Sequence, residues 1–383
     1  MGLDVRMIPS PQAVELYMTA WAAPSGSVIQ QGRQVFGEIH GLLRQKNAWI
    51  CQERVFAAGA DVPALRRIRQ QEYGPFNDGV EPTFLAPKDG TSDALAVQVH
   101  AVAAHKPSII STDSAQARIL RLDGCCWVMA SGLRAGEAGD GPAQTRAVFQ
   151  KARRLLVEAG GDLRDLARTW IFMDDILSWY GQFNQSRSGF FKEHGLLAPG
   201  AAAQFPASTG IGISPADGSK CAMDLLAVIG PEGSVARHEA AGRQRSANEY
   251  GSAFARAAVA QTPAGKTIFI SGTAAIDAAG ITCFPNNIAG QIQMTLENVT
   301  AVLRQLKAEP ADVVQAVAYC ANSEVRQEFR DRWAAKMPWP WLIVMGDVCR
   351  HDLLFEVEAT ACAGMRAISP VAQSLATQEP HMR

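Results

Sequence analysis

The apolar and polar positions of the chain follow a pattern that occurs twice. An apolar, β-rich run ending in Ser-Gly appears at 125–132 (CCWVMASG) and again at 266–272 (KTIFISG). Downstream of each lies a matching stretch, AQTRAVFQKARRLLVEAGGDLRDLARTWIFM and GQIQMTLENVTAVLRQLKAEPADVVQAVAYC, aligned without a gap so that Gln144 pairs with Gln291, Phe149 with Leu296 and Leu156 with Leu303. Apolar residues recur at helical spacing in both, as Val148, Ala152, Leu155, Leu156 and as Val299, Val302, Leu303, Leu306, which predicts one amphipathic helix per copy. Gly-Gly-Asp and Glu-Pro-Ala-Asp breaks end these helices, and a short strand follows (ARTWIFM, QAVAYCA). Second helical segments are predicted over 178–195 and 323–337. Each copy then closes with Pro-containing turns and two apolar strands, at 205–213 with 220–230 and at 339–348 with 353–363.

The order β-β-α-β-α-β-β is thus predicted twice, over 116–232 and 245–366. Strands carrying a few helices indicate an α+β architecture of mixed sheets with helices on one face. A weaker echo, a helix and then a strand, occupies 30–58. The rest of 1–115 offers turn signals (Asn77-Asp-Gly, Pro87-Lys-Asp-Gly) and no strong period beyond Val62, and is read as a partial copy. The segment 231–248 is read as a surface linker and the polar stretch 367–383 as a tail.

Composition narrows the function classes. The chain has 383 residues, 36 Lys+Arg and 37 Asp+Glu, a net charge of −1, and is 48% hydrophobic. Near-neutrality gives no electrostatic reason to expect nucleic acid or an anionic membrane as partner. No apolar run approaches the ~18–20 residues of a membrane span, and MGLDVRMIPSPQ lacks the order of a secretory signal; a soluble, cytoplasmic protein is expected. The eight cysteines form no CxxC pair and no Cys/His cluster at metal spacing. HExxH, GxSxG, GxxxxGK[ST] and GxGxxG in its proper context are missing too, which argues against the metalloprotease, α/β-hydrolase, P-loop and Rossmann classes. No metal and no cofactor are expected.

Several separated motifs carry a resemblance: RTWIFMDDI (168–176), FNQSRSGFF (183–191), PASTGIGI (206–213), YGSAFARA (250–257), SGTA (271–274) and GDVCRHDLLFEVEA (346–359). The repeated unit resembles the RidA (YjgF) fold. Two copies plus a partial third in one chain resemble the chorismatases, which cleave the enolpyruvyl ether of chorismate and include the 3-hydroxybenzoate synthases. The resemblance implies tandem modules in a pseudo-trimeric arrangement within one chain, a small-molecule substrate, and a monomer.

On the strand LLFEVEA, Glu356 and Glu358 share one face. They are either solvated or placed at the mouth of a dry cleft, where desolvation raises a carboxyl group's pKa so that it can donate a proton. The resemblance implies that Glu356 protonates the enolpyruvyl side chain. Cys349 is either a buried thiol at a strand end or, by resemblance, the mark of the branch that makes 3-hydroxybenzoate and pyruvate. Ala257 stands where members of that branch tend to carry glycine, which points to the hydrolytic branch, with a dihydroxy-cyclohexadiene carboxylate as product, or to 4-hydroxybenzoate beside the main product. A RidA-type binding protein with a degenerate site is the reading from outside the enzymes. Trp341 falls where ordinary RidA proteins carry a carboxylate-binding arginine, which argues against plain imine deamination.

A substrate with two carboxylates needs cations or donors, and the planar guanidinium fork binds a carboxylate bidentately. Arg168, Arg187, Arg256 and Arg330 are the candidates, with Arg350 either a further one or exposed at a turn. Ser208, Thr209, Gly272 and Thr273 are candidate donors beside glycine, where backbone N–H groups can approach a ligand, or simple turn residues. Tyr250 is expected to line the pocket. Trp179, Tyr180, Trp339 and Trp341 are expected to pack in the core or at the rim.

Overall fold

A computed structural model describes residues 1–88, 95–197 and 202–362. The turn signal at 87–90 falls partly, and the tail at 367–383 wholly, outside the described residues.

The chain builds three modules of one plan. The first has β1 (Gly2–Pro9), β2 (Val14–Trp21), α1 (Val28–Lys46), β3 (Ala48–Phe56), α2 (Val62–Tyr73), β4 (Thr83–Ala86) and β5 (Ala96–Ala103). The second has β6 (Ser108–Thr112), β7 (Ala115–Leu122), β8 (Cys125–Arg134), α3 (Gly141–Glu158), β9 (Leu166–Met173), α4 (Ile176–Glu193), β10 (Ala207–Ile211), β11 (Ser214–Pro215) and β12 (Cys221–Ile229). The third has β13 (Val235–His238), β14 (Ala257–Thr262), β15 (Gly265–Ala274), α5 (Ile288–Gln305), β16 (Val313–Cys320), α6 (Ser323–Arg332), β17 (Trp341–Met345) and β18 (Phe355–Ala361).

Each module forms a six-stranded mixed sheet, in the orders β1-β2-β5-β3-β4-β11, β10-β9-β12-β8-β7-β6 and β13-β14-β15-β18-β16-β17. In each, the strand after the first helix pairs parallel with the strand after the second: β3 with β4, β9 with β10, β16 with β17. The β11 strand reaches from the second module to pair with β4 of the first.

The helices form where the apolar period placed them. In α3, Val148, Phe149, Ala152, Leu155 and Leu156 are buried, and Asp140 caps the start by accepting from Ala143 N at 2.9 Å. In α5, Val299, Val302 and Leu303 are buried and Asn287 caps the start, accepting from Gly290 N at 2.9 Å. A polar cap of this kind satisfies backbone N–H groups that the helix leaves unpaired.

The first region departs from its sequence reading. The echo at 30–58 is α1 and β3, but β1, β2, α2, β4 and β5 surround it, so the region carries the whole plan. Two features hide this in the sequence. The α2 helix has a thin apolar stripe (Val62, Leu65, Ile68) broken by the buried Arg69, and β5 interrupts its apolar run with Gln98 and His100. Arg69 and Tyr73 instead hold the buried Glu53, at 2.6 and 2.8 Å. The segment read as a surface linker includes β13.

Helices and sheet enclose one core per module, packed around Phe36, Phe149 and Val299 respectively. A fourth core lies where the three sheets face one another and draws Phe56 and Leu85 from the first module, Trp127 and Trp170 from the second, and Phe269 and Tyr319 from the third. The three sheets therefore pack around a common centre with helices outside. Among the described residues, no helix is long and apolar enough to cross a membrane.

Candidate active site

The second and third modules meet along β10 and β15. Ser208 N donates to Ser271 Oγ at 2.8 Å, Ser271 Oγ donates to Ala255 O at 2.6 Å, and Gly272 N donates to Thr209 Oγ1 at 3.0 Å. Gly212 and Asp347 add a backbone bridge, with N–H···O distances of 2.8 and 3.1 Å. At this seam lies a cleft walled by Tyr180 and Arg187 of α4, Ser208 and Gly210 of β10, Tyr250, Ser252, Phe254 and Arg256 of the connection before β14, Gly272 and Ala274 of β15, Ile276, Cys349, Arg350, and Glu356 of β18. Its side chains leave about 50 Å³ free.

Glu356 and Glu358 face one side of β18, as the alternation requires, and are 5% and 4% exposed. Their fates differ. Glu358 accepts from Arg168 Nη2 at 2.8 Å in a buried ion pair. Glu356 has no ion-pair partner among the described residues and lines the cleft. Burial, and then the charge of Glu358, push its pKa up to about 8 against the pull of Arg168 and Arg256, so the carboxyl group is largely protonated at neutral pH. Gly272 makes room for it: a Cβ there would overlap Glu356 Oε1.

Cys349 sits half-buried in the same wall. Burial, and then the nearby Glu356, raise its pKa to about 12, although Arg350 and a hydrogen bond with Tyr180 act the other way. It is a neutral thiol, not a thiolate.

Beside the half-buried Arg350, two buried cations complete the cleft. Arg187 is 2% exposed, with Nη2 on Asn184 Oδ1 at 2.7 Å and Nε without a partner among the described residues. Arg256 is 3% exposed, donates from Nε to Arg245 O at 3.0 Å and contacts the Tyr250 hydroxyl. Burial depresses the pKa of both. Neither pairs with a carboxylate among the described residues; their guanidiniums rest on rings instead, Arg187 over Phe183 and Phe254, Arg256 over Tyr250 and Phe254. A buried charge without a counter-ion costs several kcal/mol, and an anionic ligand would offset that cost.

The structure separates the sequence candidates. Glu356, Cys349, Arg187, Arg256, Tyr250, Ser208 and Gly272 come together in the cleft. Thr209 stands behind it, holding Gly272 N and Arg168. Arg168 is a correction: it is 1% exposed and turns to the space where the three sheets meet, beside Arg54, Gln98 and Gln315. Thr273 turns its hydroxyl to Ser271 O at 2.8 Å, and Ala257, fully buried, packs under α5. Arg330 lies on α6, in the wall of a different cavity between the third and first modules. Tyr180, expected only in the core or at the rim, and Ser252 and Phe254, which lie within YGSAFARA without being candidates, also line the cleft. A signal existed for Tyr180, because positions 180, 184 and 187 share one face of a helix. Among the described residues no group of His, Cys, Asp or Glu suits a metal ion.

A family model described as Endoribonuclease L-PSP matches residues 248–363. No curated protein matches the sequence. Among solved structures, a crystal structure of chorismatase is similar over 90% of this chain and 98% of its own, with 20% identity and a TM-score of 0.62. E. coli TdcF with bound serine covers 32% of this chain and 98% of its own at 22% identity and a TM-score of 0.26. The E. coli YjgF gene product covers 29% and 84% at 24% identity and a TM-score of 0.24. The overall fold of this chain is thus that of the chorismatase structure, three modules of one α+β plan in tandem.

Proposed function

We propose that the chain is a chorismatase that releases pyruvate from chorismate, with Glu356 as general acid. The observation that carries this reading is a buried carboxyl group without an ion-pair partner among the described residues, in the same cleft as two buried guanidiniums without counter-ions. Chorismate supplies what this cleft lacks: two carboxylates and an enol ether whose methylene carbon accepts a proton.

In this reading Arg187 and Arg256 take the carboxylates, and the ring lies against Tyr180, Phe254 and Ile276. The proton moves from Glu356 to the methylene carbon, and the ether becomes an oxocarbenium-like species whose bond to the ring then breaks. General acid assistance of this kind gives ~10²–10⁴-fold. Because little space is free, a ring-sized ligand enters by displacing lining side chains, and the Tyr250–Arg256 contact is the one to open.

Cys349, held by Tyr180 beside the acid, supports the branch that yields 3-hydroxybenzoate. That product and pyruvate together account for every atom of chorismate, so no water is consumed. Ala257 favours the second reading, in which one water is taken up to give the dihydroxy-cyclohexadiene carboxylate, or 4-hydroxybenzoate forms beside the main product. Incubation of purified protein with chorismate, followed by chromatography, tests both. Pyruvate with 3-hydroxybenzoate is expected, and no pyruvate above a boiled control ends the proposal. Cys349→Ala is expected to keep pyruvate release and shift the ring product toward the diene-diol; an unchanged product ratio would make the thiol structural.

A further inference from the structure

The three modules share one plan, but one connection in it differs. From the strand that leads into the first helix of each module, the chain runs through 22–27 in the first, 135–140 in the second and 275–287 in the third. The last is more than twice as long as the others, and it belongs to the module that carries Glu356.

The extra residues fold back as a small hairpin. Cys283 N donates to Ala275 O at 2.8 Å, Asp277 N to Ile281 O at 3.0 Å and Gly280 N to Asp277 O at 3.0 Å. Asp277 Oδ1 braces the tip by accepting from Ala279 N and Ile281 N at 2.8 and 2.9 Å. The two ends of the hairpin are held differently. At its base the buried side-chain amides of Gln244 and Asn298 both donate to Ala274 O and Ile276 O, at 3.1 to 3.3 Å. Its tip is largely exposed and hangs on two arginines: Arg245 Nη2 donates to Ala279 O at 2.7 Å and Arg350 Nη1 to Gly280 O at 2.9 Å. On the return side Thr282 Oγ1 donates to Asp352 Oδ1 at 3.1 Å.

Beneath the tip lies the cleft. A Cβ on Gly280 would stand 3.0 Å from Tyr250 Cδ1, so the backbone of the tip rests on the ring whose hydroxyl contacts Arg256. Tyr250, Arg350 and, at the base, Ile276 all line the cleft. Beyond the hairpin the backbone is strained where it enters α5: Phe284 has φ 53° and Asn286 φ 61°. That region is unusual for a bulky side chain, and Phe284 is 50% exposed, so burial of the ring does not account for it. Strain of this kind collects at ligand clamps and switch segments.

We infer that 275–283 is a hinged flap over the cleft, with Arg245 and Arg350 as its latch and 284–286 as its hinge. Its internal bonds keep it in one piece, and its weakly held end is the one over the site. With about 50 Å³ free beneath the closed flap, a ring-sized ligand enters once the tip lifts and releases Tyr250.

The flap governs access and does not depend on the reaction assigned to the cleft, so it is tested without chorismate. Cys349, in the cleft wall, is the reporter: iodoacetamide alkylates it as the thiolate displaces iodide, and peptide mass mapping reads each cysteine separately. Cys221, 1% exposed in the core of the second module, reports opening of the whole fold in the same sample. Two substitutions loosen the tip from different sides. Arg245→Gln removes the charge-assisted bond to Ala279 O, and Gly280→Ala sets a methyl group against Tyr250 at a φ of 78°. Burial, Glu356, Arg350 and Tyr180 govern the acidity of Cys349, so neither substitution alters it directly. Alkylation of Cys349 at one fixed pH is expected to run roughly three- to tenfold faster in either variant than in the parent, with Cys221 unchanged. A rate unmoved in both variants, or one that rises only in step with Cys221, overturns the flap, whereas absence of pyruvate release would count against the proposed reaction alone.

Discussion

Replacing Glu358 by glutamine should move the alkaline limit of activity downward. Glu356 and Glu358 are two residues apart on one face of β18, hence ~7 Å apart along the strand. At that separation and an effective dielectric of ~20, one unit charge is worth about 2 kcal/mol, or roughly 1.5–2 pKa units. The amide of Glu358→Gln keeps an oxygen for Arg168 Nη2 but lacks the negative charge that holds the Glu356 pKa up and offsets Arg168. Both effects favour the ionised form of Glu356. Its pKa is therefore expected to fall from about 8 to near or below neutrality. A general acid works only while protonated, so kcat/KM for pyruvate release is expected to decline above pH ~8 in the parent protein and from a clearly lower pH in Glu358→Gln, with acid-side activity retained. The assay is a pH series of initial rates with circular dichroism at each pH. A limb that stays in place, or moves upward, would refute either the charge on Glu358 or the assignment of the limb to Glu356.

Other substitutions test the same cleft from different sides. Glu356→Gln is expected to lower kcat ~10²–10⁴-fold and to change stability with a defined sign. The folded-state pKa of about 8 lies above the ordinary value of 4.5, so the native form binds the proton more tightly and the parent loses stability as pH rises from about 4.5 to 8, by a few kcal/mol. The variant should escape that loss, and calorimetry should find its Tm advantage growing across this window; a constant difference would contradict the raised pKa. Gly272→Ala is expected to displace the Glu356 carboxyl and lower kcat ~10²-fold, with an unaltered far-UV spectrum, and full activity would show that the overlap is relieved elsewhere. Arg256→Gln is expected to raise KM roughly ten- to hundredfold, the worth of a charge-assisted hydrogen bond. The same change removes a buried charge without a counter-ion, so the ligand-free protein should melt higher; a lower KM or a lower Tm would count against the substrate-binding role.

Much of the fold is legible in the sequence because the second and third modules keep their apolar period intact through α3 and α5. The first module is only partly legible, for a physical reason. Its buried polar residues satisfy one another across elements, as Arg69 and Tyr73 do with Glu53, or Gln52 and Arg54 with the second module, and such pairs erase the alternation that marks a strand. Arg168 shows a related limit. An arginine in an apolar strand signals a buried role, but the chain alone does not say that its side of β9 faces the junction of three sheets and not the cleft. Arg330 illustrates the converse: α4 and α6 hold equivalent places in their modules, yet each faces a different seam, so a helix position valid for a ligand in one module serves another cavity in the next.

Two of the three seams share an ionic device, and the candidate acid lies where it is exceeded. Between the first and second modules, Asp224 accepts from Arg54 Nε at 2.7 Å, from Gly132 N at 2.8 Å and from Thr83, and Arg54 stacks on Trp170 at 3.9 Å. Between the second and third, Arg168, Thr209, Gly272 and Glu358 form the corresponding group. In β12, Asp224 pairs in register with Trp170 and Ala222 with Phe172; in β18, Glu358 pairs with Val317 and Glu356 with Tyr319. Glu356 is thus a second carboxyl group at a register position where β12 has alanine. The guanidinium of Arg168 is committed to Glu358, so burial governs Glu356 and keeps it protonated. A carboxyl group that stays neutral at rest, as the general-acid reading requires, follows from adding one carboxyl group beside an ion pair that is already complete.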